Sequence, residues 1–223
     1  MKKILLNICA FFGLFSTLTL QAQDGLDFGF TAGGNYATYK YVGDRDIYAD
    51  YDGGFGFYAG AFVSVPVGVK LSFAPELLFS YQTASADGDV NDLLDLLDYQ
   101  IPITINGEVN VQATEMIVAA PLMFRLKLSR FDVAIGPQIS YALDRSMDAT
   151  AAIEGMDINL DGVDVEDFYE EEDRDKLGLN LNLDAGFYLT KKLKLGARYS
   201  YGVLIRDELK SSVVQLGLTY GLL

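Results

Sequence analysis

The sequence predicts an all-β protein, a transmembrane antiparallel up-and-down β-barrel of about eight strands. The first observation behind this prediction is alternation: apolar residues occupy every second position over long stretches, most clearly within 177–223. This period places the apolar side chains on one face of a strand. The second observation is length, since the stretches exceed the roughly 5 or 6 residues of a typical globular strand and approach the about 9 to 11 that cross a bilayer. The third is that long and short connections alternate along the chain.

The first 22 residues have the plan of a secretory signal peptide, with Lys2 and Lys3, an apolar run over 4–20 and the small residue Ala22. Residues 23–223 are then predicted to form one domain, the barrel. The one cysteine, Cys9, lies in the signal segment. A mature chain without cysteine excludes a disulfide framework and metal sites built on thiolates.

Each predicted strand has one apolar face and one face of small or polar residues. In the first strand, for example, Phe28, Phe30 and Tyr36 alternate with Asp27, Gly29 and Asn35. The strands are predicted over 27–39, 54–65, 70–82, 112–127, 131–143, 177–189, 193–203 and 214–222.

The connections predict how the barrel is oriented. A polar, tyrosine-bearing connection at 40–52 and long acidic connections at 83–107 and 144–176 alternate with short turns near 66–69, 129 and 191–192. In outer-membrane barrels the short turns and both termini face the periplasm, and the long loops face outward. The sequence therefore predicts a protein of the cell outer membrane with periplasmic termini and extracellular acidic loops. Within the second long loop, helix-like leucine spacing over 90–99 predicts a short amphipathic helix.

A soluble lipocalin-type barrel, with its apolar face turned inward, is the structural alternative. Its water-exposed surface would then be the other face of these strands, which is rich in glycine and poor in charge. The chain also contains no tryptophan for a lipocalin-like signature. Both features favour the membrane barrel.

Charge and composition exclude several function classes. The chain has 17 basic and 31 acidic residues, a formal net charge of −14, which argues against nucleic-acid binding. It contains no histidine, so Ser/His and Asp/His catalytic arrangements are absent. The sequence therefore does not predict an enzyme.

Charged residues on the non-apolar face are the candidate functional residues, because that face lines the lumen if the apolar face meets lipid. A turn centred on Lys191 would place Asp184 directly opposite Arg198. In the preceding hairpin, Asp132 is predicted to lie opposite Arg125 or Lys127. The remaining charged residues predicted to point inward are Glu76, Glu115 and Lys194.

One loop resembles the beginning of a calcium site. Asp157, Asn159 and Asp161, followed by Gly162, match the first ligands and the glycine of an EF-hand loop. The twelfth position, where a bidentate glutamate belongs, is Phe168. The alternative is an acidic, solvated loop, and no other cofactor is predicted.

Several short motifs carry a family resemblance. They are Gln-Ala-Gln at 21–23, Phe-x-Phe-x-Ala-Gly-Gly-Asn at 28–35, Phe-Ala-Pro-Glu-Leu-Leu-Phe-Ser-Tyr at 73–81, Ala-Pro-Leu-Met at 120–123 and Gly-Pro-Gln-Ile-Ser-Tyr at 136–141. In this pattern the chain resembles the PorT-like outer-membrane β-barrel family of Bacteroidota over nearly all of its mature length. The resemblance implies contact with outer-membrane lipid and with the barrel assembly machinery. Because one member of that family is required for a protein secretion system, it also implies other envelope or secretion proteins as partners.

Three function classes remain from the sequence. The first is a structural, accessory (secretion-related) or surface-interaction role. The second is a narrow small-solute pore, which is disfavoured because the interior of an eight-stranded barrel is about wide enough for its own side chains. The third is a membrane-embedded hydrolase based on paired carboxylates, and no pair in a shared apolar setting stands out in the sequence.

Overall fold

The computed structural model of the 223-residue chain describes residues 25–41, 50–89, 107–153, 156–159, 176–204 and 209–222. The predicted signal peptide and the predicted loop helix lie outside these residues. No helix within the described ranges is both long enough and apolar enough to span a membrane.

The described residues form nine β-strands, and every pairing between them is antiparallel. Eight of them close into a barrel in chain order, with β1 pairing β9 to complete the ring. The short β6 pairs with the far end of β5. The predicted fold class is thereby confirmed. The strands are β1 Asp27–Tyr41, β2 Asp50–Pro66, β3 Leu71–Asp89, β4 Gly107–Leu128, β5 Phe131–Ile153, β6 Met156–Asn159, β7 Leu177–Tyr188, β8 Leu193–Gly202 and β9 Leu209–Gly221.

Each strand turns its apolar face outward and its small or polar face into the barrel, as the membrane prediction requires. Large apolar side chains on the outer surface are about half exposed, as for Phe30 at 58% and Leu216 at 61%. Polar residues between them are buried inside, and Asn182 is 0% exposed. A barrel that is apolar outside and polar inside suits lipid around it. The lipocalin-type alternative, which needs the opposite arrangement, is wrong.

The connections between strands are short at one end of the barrel and long at the other. The turn end carries the β2–β3, β4–β5 and β7–β8 turns, together with the start of β1 and the end of β9. The loop end carries the long connections. At the loop end β3, β4 and β5 continue farther than predicted, because they go on pairing with one another and so satisfy each other's backbone groups. Parts of the predicted loops 83–107 and 144–176 are therefore strand.

Two aromatic side chains help to fill the interior. Tyr58 and Phe62 interrupt the small-residue face of β2, and both are buried, at 7% and 5% exposure. Tyr58 reaches past β1 to β9, where a Cβ at Gly217 would collide with its hydroxyl. The inner face is thus rich in glycine partly because large side chains from neighbouring strands lie across it.

Candidate functional site

A cluster of six charged side chains occupies the turn-end half of the lumen. It contains three carboxylates and three cations, and all six residues are at most 8% exposed. Five strands supply them, since β8 contributes two. We call the cluster the lumen charge ring; its members are Glu76 of β3, Arg125 of β4, Asp132 of β5, Asp184 of β7, and Lys194 and Arg198 of β8.

Arg198 joins opposite walls of the barrel. Its Nε and Nη2 lie 3.2 and 3.1 Å from Asp184 Oδ2 on the neighbouring strand. The same Nη2 lies 2.9 Å from both carboxylate oxygens of Glu76. Because β3 and β8 are four strands apart in either direction around the barrel, this side chain crosses the full width of the lumen.

The other two cations complete the ring. Arg125 Nη2 lies 3.5 Å from Glu76 Oε1, and Arg125 Nε lies 3.5 Å from Asp132 Oδ2. Lys194 Nζ lies 3.3 Å from Asp132 Oδ2 and 3.6 Å from Asp184 Oδ1. Each carboxylate therefore contacts two cations and each cation contacts two carboxylates, so charges of alternating sign form a closed, balanced circuit.

The register within the two hairpins agrees with the parity argument. Asp184 lies directly opposite Arg198, and Asp132 lies opposite Lys127. The inclusion of Lys127 among the lumen pairs is nevertheless wrong. Its side chain is exposed at the turn end, where Nζ lies 4.8 Å from the centre of the Tyr188 ring. The Asp132 carboxylate points farther into the barrel, toward the other cations.

Tyr188 also belongs to the surroundings of the ring, and the sequence analysis missed it. Its hydroxyl donates a hydrogen bond of 2.9 Å to Asp132 Oδ2. The signal was available, since position 188 shares the inward parity of Asp184. Residue type gives no further indication, because aromatic residues also occupy the lipid-facing positions of these strands.

A second ion pair lies nearer the loop end. Glu115 Oε1 accepts a bond of 3.0 Å from Arg145 Nε, and its Oε2 accepts one of 3.2 Å from the Tyr39 hydroxyl. Parity alone would turn Arg145 toward lipid. A register shift lets Met116 pair with Asp144 while Ile117 pairs with Ala142, so β5 has one extra residue there and its later side chains change face.

Neutral polar side chains fill the lumen between the two charged layers. Asn35 Nδ2 lies within hydrogen-bond distance of three acceptors, the carbonyl oxygens of Phe57 and Tyr81 and Ser80 Oγ, at 3.0 to 3.1 Å. Asn182 Nδ2 donates to Gln138 Oε1 at 2.9 Å. This pattern suits a filled, rigid interior. Every carboxylate of the lumen charge ring is shared between two cations.

The candidate calcium loop lies only partly within the described residues. Asp157 and Asn159 lie in β6, opposite Ala152 and Thr150 of β5. Asp161 lies outside the described residues. Across the part of the chain that the structure describes, no group of three or more His, Cys, Asp or Glu residues could hold a metal ion.

Comparison with known families decides the membership of the chain. The profile of the outer membrane protein beta-barrel domain family matches residues 21–204. The chain belongs to this family. Membership in this outer-membrane β-barrel family places the protein in the outer membrane, in agreement with the apolar outer surface of the barrel. No curated protein matches the sequence.

Solved outer-membrane barrels are similar in fold. Ail, the attachment invasion locus protein of Yersinia pestis, in complex with the heparin analogue sucrose octasulfate, has 11% identity and a TM-score of 0.41, over 88% of this chain and 98% of that chain. Neisserial surface protein A has 14% identity and a TM-score of 0.40, over 88% and 99%. OprG from Pseudomonas aeruginosa has 12% identity and a TM-score of 0.35, over 88% and 93%. At these identities the likeness concerns the fold alone.

Proposed function

We propose that this outer membrane protein beta-barrel domain protein is a non-conducting barrel whose loop end binds other envelope or surface components. The role is a surface-interaction or accessory one, including a secretion-related role of the PorT-like kind. The signal over 1–22 exports the chain, and the barrel assembly machinery inserts it. The acidic loops face the exterior, and the termini and short turns face the periplasm.

The observation that carries this proposal is the contact between Arg198 and Glu76 across the lumen. A pore needs a continuous water path between the ends of the barrel. Here the path meets a closed circuit of buried charges joined to opposite walls. Opening it would separate buried ion pairs, which costs several kcal/mol for each pair broken. The geometry therefore favours a filled barrel over the narrow small-solute pore.

The extended strands at the loop end support a binding role. β3, β4 and β5 are 19, 22 and 23 residues long, about twice the about 9 to 11 residues needed to cross the bilayer. Their extra length forms a paired sheet above the barrel. Such a sheet presents a preorganised surface, which lowers the entropic cost of binding a partner.

Conductance in planar bilayers tests the closed lumen. The wild-type protein is expected to give no steady channel, because the lumen charge ring blocks the path. The double variant Arg198→Ala/Glu76→Ala removes both ends of the crossing contact, and it is expected to conduct measurably more. A stable nanosiemens-scale channel from the wild type would overturn the proposal and favour the pore.

Site-specific photo-crosslinking tests the binding surface. A crosslinker at the exposed Ser146 of the extended part of β5 is expected to give protein adducts in intact cells. The matched control is Val133, on the lipid-facing part of the same strand, which should give lipid adducts only. Absence of protein adducts at position 146 would contradict a binding role for this sheet.

Surface labelling tests the orientation. Epitope tags at Gly88 or Gly162 are expected to be accessible to antibody on intact cells, and a tag at Lys191 is expected to be accessible only after the outer membrane is opened. Labelling at Lys191 alone would reverse the proposed topology.

A further inference from the structure

Five basic residues lie in or directly beside the three short turns at the turn end of the barrel. Residues 66–71, 126–131 and 189–193, which contain these turns, include no aspartate or glutamate, although acidic residues outnumber basic ones by 31 to 17 in the whole chain. The turns therefore oppose the overall charge of the protein. We call these five residues the basic collar; they are Lys70, Lys127, Arg130, Lys191 and Lys192.

The basic collar lies where the lipid-facing apolar surface ends. Phe131, next to Arg130, is 60% exposed, and Leu189, two residues before Lys191, is 51% exposed. All five collar residues are exposed. Long basic side chains at such a boundary extend their charged groups toward the lipid headgroups while their stems remain on apolar surface. The collar thus lies at headgroup depth.

The collar is not neutralised from within the described part of the chain. Lys192 Nζ donates to the carbonyl of Leu222 at 2.9 Å, and Lys127 Nζ lies on the Tyr188 ring. No ion pair links a collar residue to a described carboxylate, whereas the buried cations of the lumen charge ring are all paired. Like charges around one rim repel each other, so a counter-charge from outside the chain would stabilise them.

We propose that the basic collar binds the phosphate headgroups of anionic phospholipids in the leaflet at the turn end. Ammonium and guanidinium groups form charge-assisted hydrogen bonds with phosphate oxygens. The cations are distributed over the turn ends of the β2–β3, β4–β5 and β7–β8 hairpins. A leaflet of headgroups supplies phosphate at every one of these turns. This proposal holds for either orientation of the barrel and does not depend on the proposed function.

The test compares the protein in neutral phosphatidylcholine nanodiscs and in discs that contain one quarter phosphatidylglycerol of the same chain lengths. Native mass spectrometry counts the phosphatidylglycerol molecules retained by the protein. The double variant Arg130→Gln/Lys191→Gln is expected to lower the apparent affinity for phosphatidylglycerol by about tenfold or more, because each basic residue near an anionic surface contributes about fivefold. The loss should be reproduced in wild-type protein at about 1 M salt, where the Debye length falls to about 3 Å.

The control removes the same charge from the opposite end of the barrel. Lys40 and Lys210 face each other at the loop end of β1 and β9, and Lys40→Gln/Lys210→Gln is expected to retain the wild-type affinity. An equal loss in both double variants would overturn the collar as a specific site. Saturable binding of soluble glycerol phosphate to the wild-type protein in neutral discs, lost in Arg130→Gln/Lys191→Gln, would also overturn it, because the site would then bind free phosphate. Both variants must keep the faster gel migration of the unheated barrel, which shows that they fold.

Discussion

Arg198 is the residue on which the interior of the barrel depends most. It contacts two carboxylates from opposite walls, and its partners on the chain are 14 and 122 residues away. Its loss leaves Glu76 with Arg125 and leaves Asp184 with Lys194, so the ring keeps three negative and two positive charges. A buried charge without a matching partner destabilises the folded state more than the loss of the pair as a whole.

We therefore expect Arg198→Ala to lower the free energy of unfolding by about 3 to 5 kcal/mol. The double variant Arg198→Ala/Asp184→Ala should be less destabilised than the single one, because it leaves two acids balanced by two bases. Urea unfolding in lipid vesicles measures both. Lys40→Ala, on the exposed surface, should change stability by about 0.5 kcal/mol or less. Additive losses from the two lumen substitutions would contradict the coupling.

Gly186 shows that the ring also needs space. It lies opposite both Asp132 and Gly196 in the sheet, and an added Cβ would collide with the Asp132 carboxylate and the Lys194 stem. We expect Gly186→Ala to destabilise the barrel by about 1 to 3 kcal/mol through this crowding. Unfolding midpoints in urea measure the effect.

Gly196→Ala is the matched control for that substitution. The added Cβ would meet only carbonyl oxygens of Ala185 and Gly217 at 4.0 Å, an ordinary contact distance. This variant should be neutral or slightly stabilised, because alanine restricts the unfolded chain more than glycine does. Equal destabilisation by the two substitutions would show that the backbone requires glycine at both positions. Crowding of the lumen charge ring would then not be the cause.

Among the strands, β5 contains a bulge that changes which side chains point into the lumen. Its extra residue near Leu143 reverses the face of the side chains beyond it, so that Arg145 reaches Glu115. Without this register shift, the second charged layer would lose its cation to the lipid side. A bulge in one strand thus determines which residues form a buried pair.

Cysteine labelling along β5 checks this reversal. In a background without Cys9, single cysteines at Tyr141 and Leu143 are expected to react with a lipid-soluble maleimide, because these side chains face outward. A cysteine at Arg145 should react more slowly, since the position points into the lumen. Deletion of Leu143 removes the unpaired residue between Ala142 and Asp144, so position 145 should stay opposite Glu115 and remain slow to react. Fast labelling of position 145 in the undeleted chain would contradict the register.

For the whole molecule, closure of β9 against β1 is the decisive contact. It pairs Gly29 with Gly221 at the turn end and Tyr41 with Leu209 at the loop end. Full closure removes free strand edges and satisfies all backbone groups within lipid. The intact barrel should therefore resist detergent until it is heated.

We expect the unheated protein to migrate faster than the boiled protein on a denaturing gel, because the closed barrel stays compact. A chain truncated before Leu209 lacks β9 and leaves β1 with one unpaired edge, so it should show a single, slower band. Identical migration of wild-type protein before and after boiling, or its recovery as a soluble periplasmic protein, would be inconsistent with a closed membrane barrel.

Before the bulge in β5, the sequence by itself determined which side chains face lipid and which face the lumen, because the two-residue period of a strand is a local property. It also predicted the number of barrel strands. Parity around a short turn was enough to place Asp184 opposite Arg198, since a hairpin register depends on a few neighbouring residues. Strand ends were underestimated where polar strands continue to pair beyond the lipid-facing segment.

Only the tertiary structure decided how the inward charges are combined. The contact between Arg198 and Glu76 requires the barrel to close, which brings together residues 122 positions apart. Lys194 and Arg125 could be assigned to Asp132 only once the spacing of five strands around the lumen was known. Arg145 joined the interior through a bulge that alternation does not encode. A period along one strand carries no information about its partner across the lumen, because that distance depends on strand number and stagger around the whole barrel.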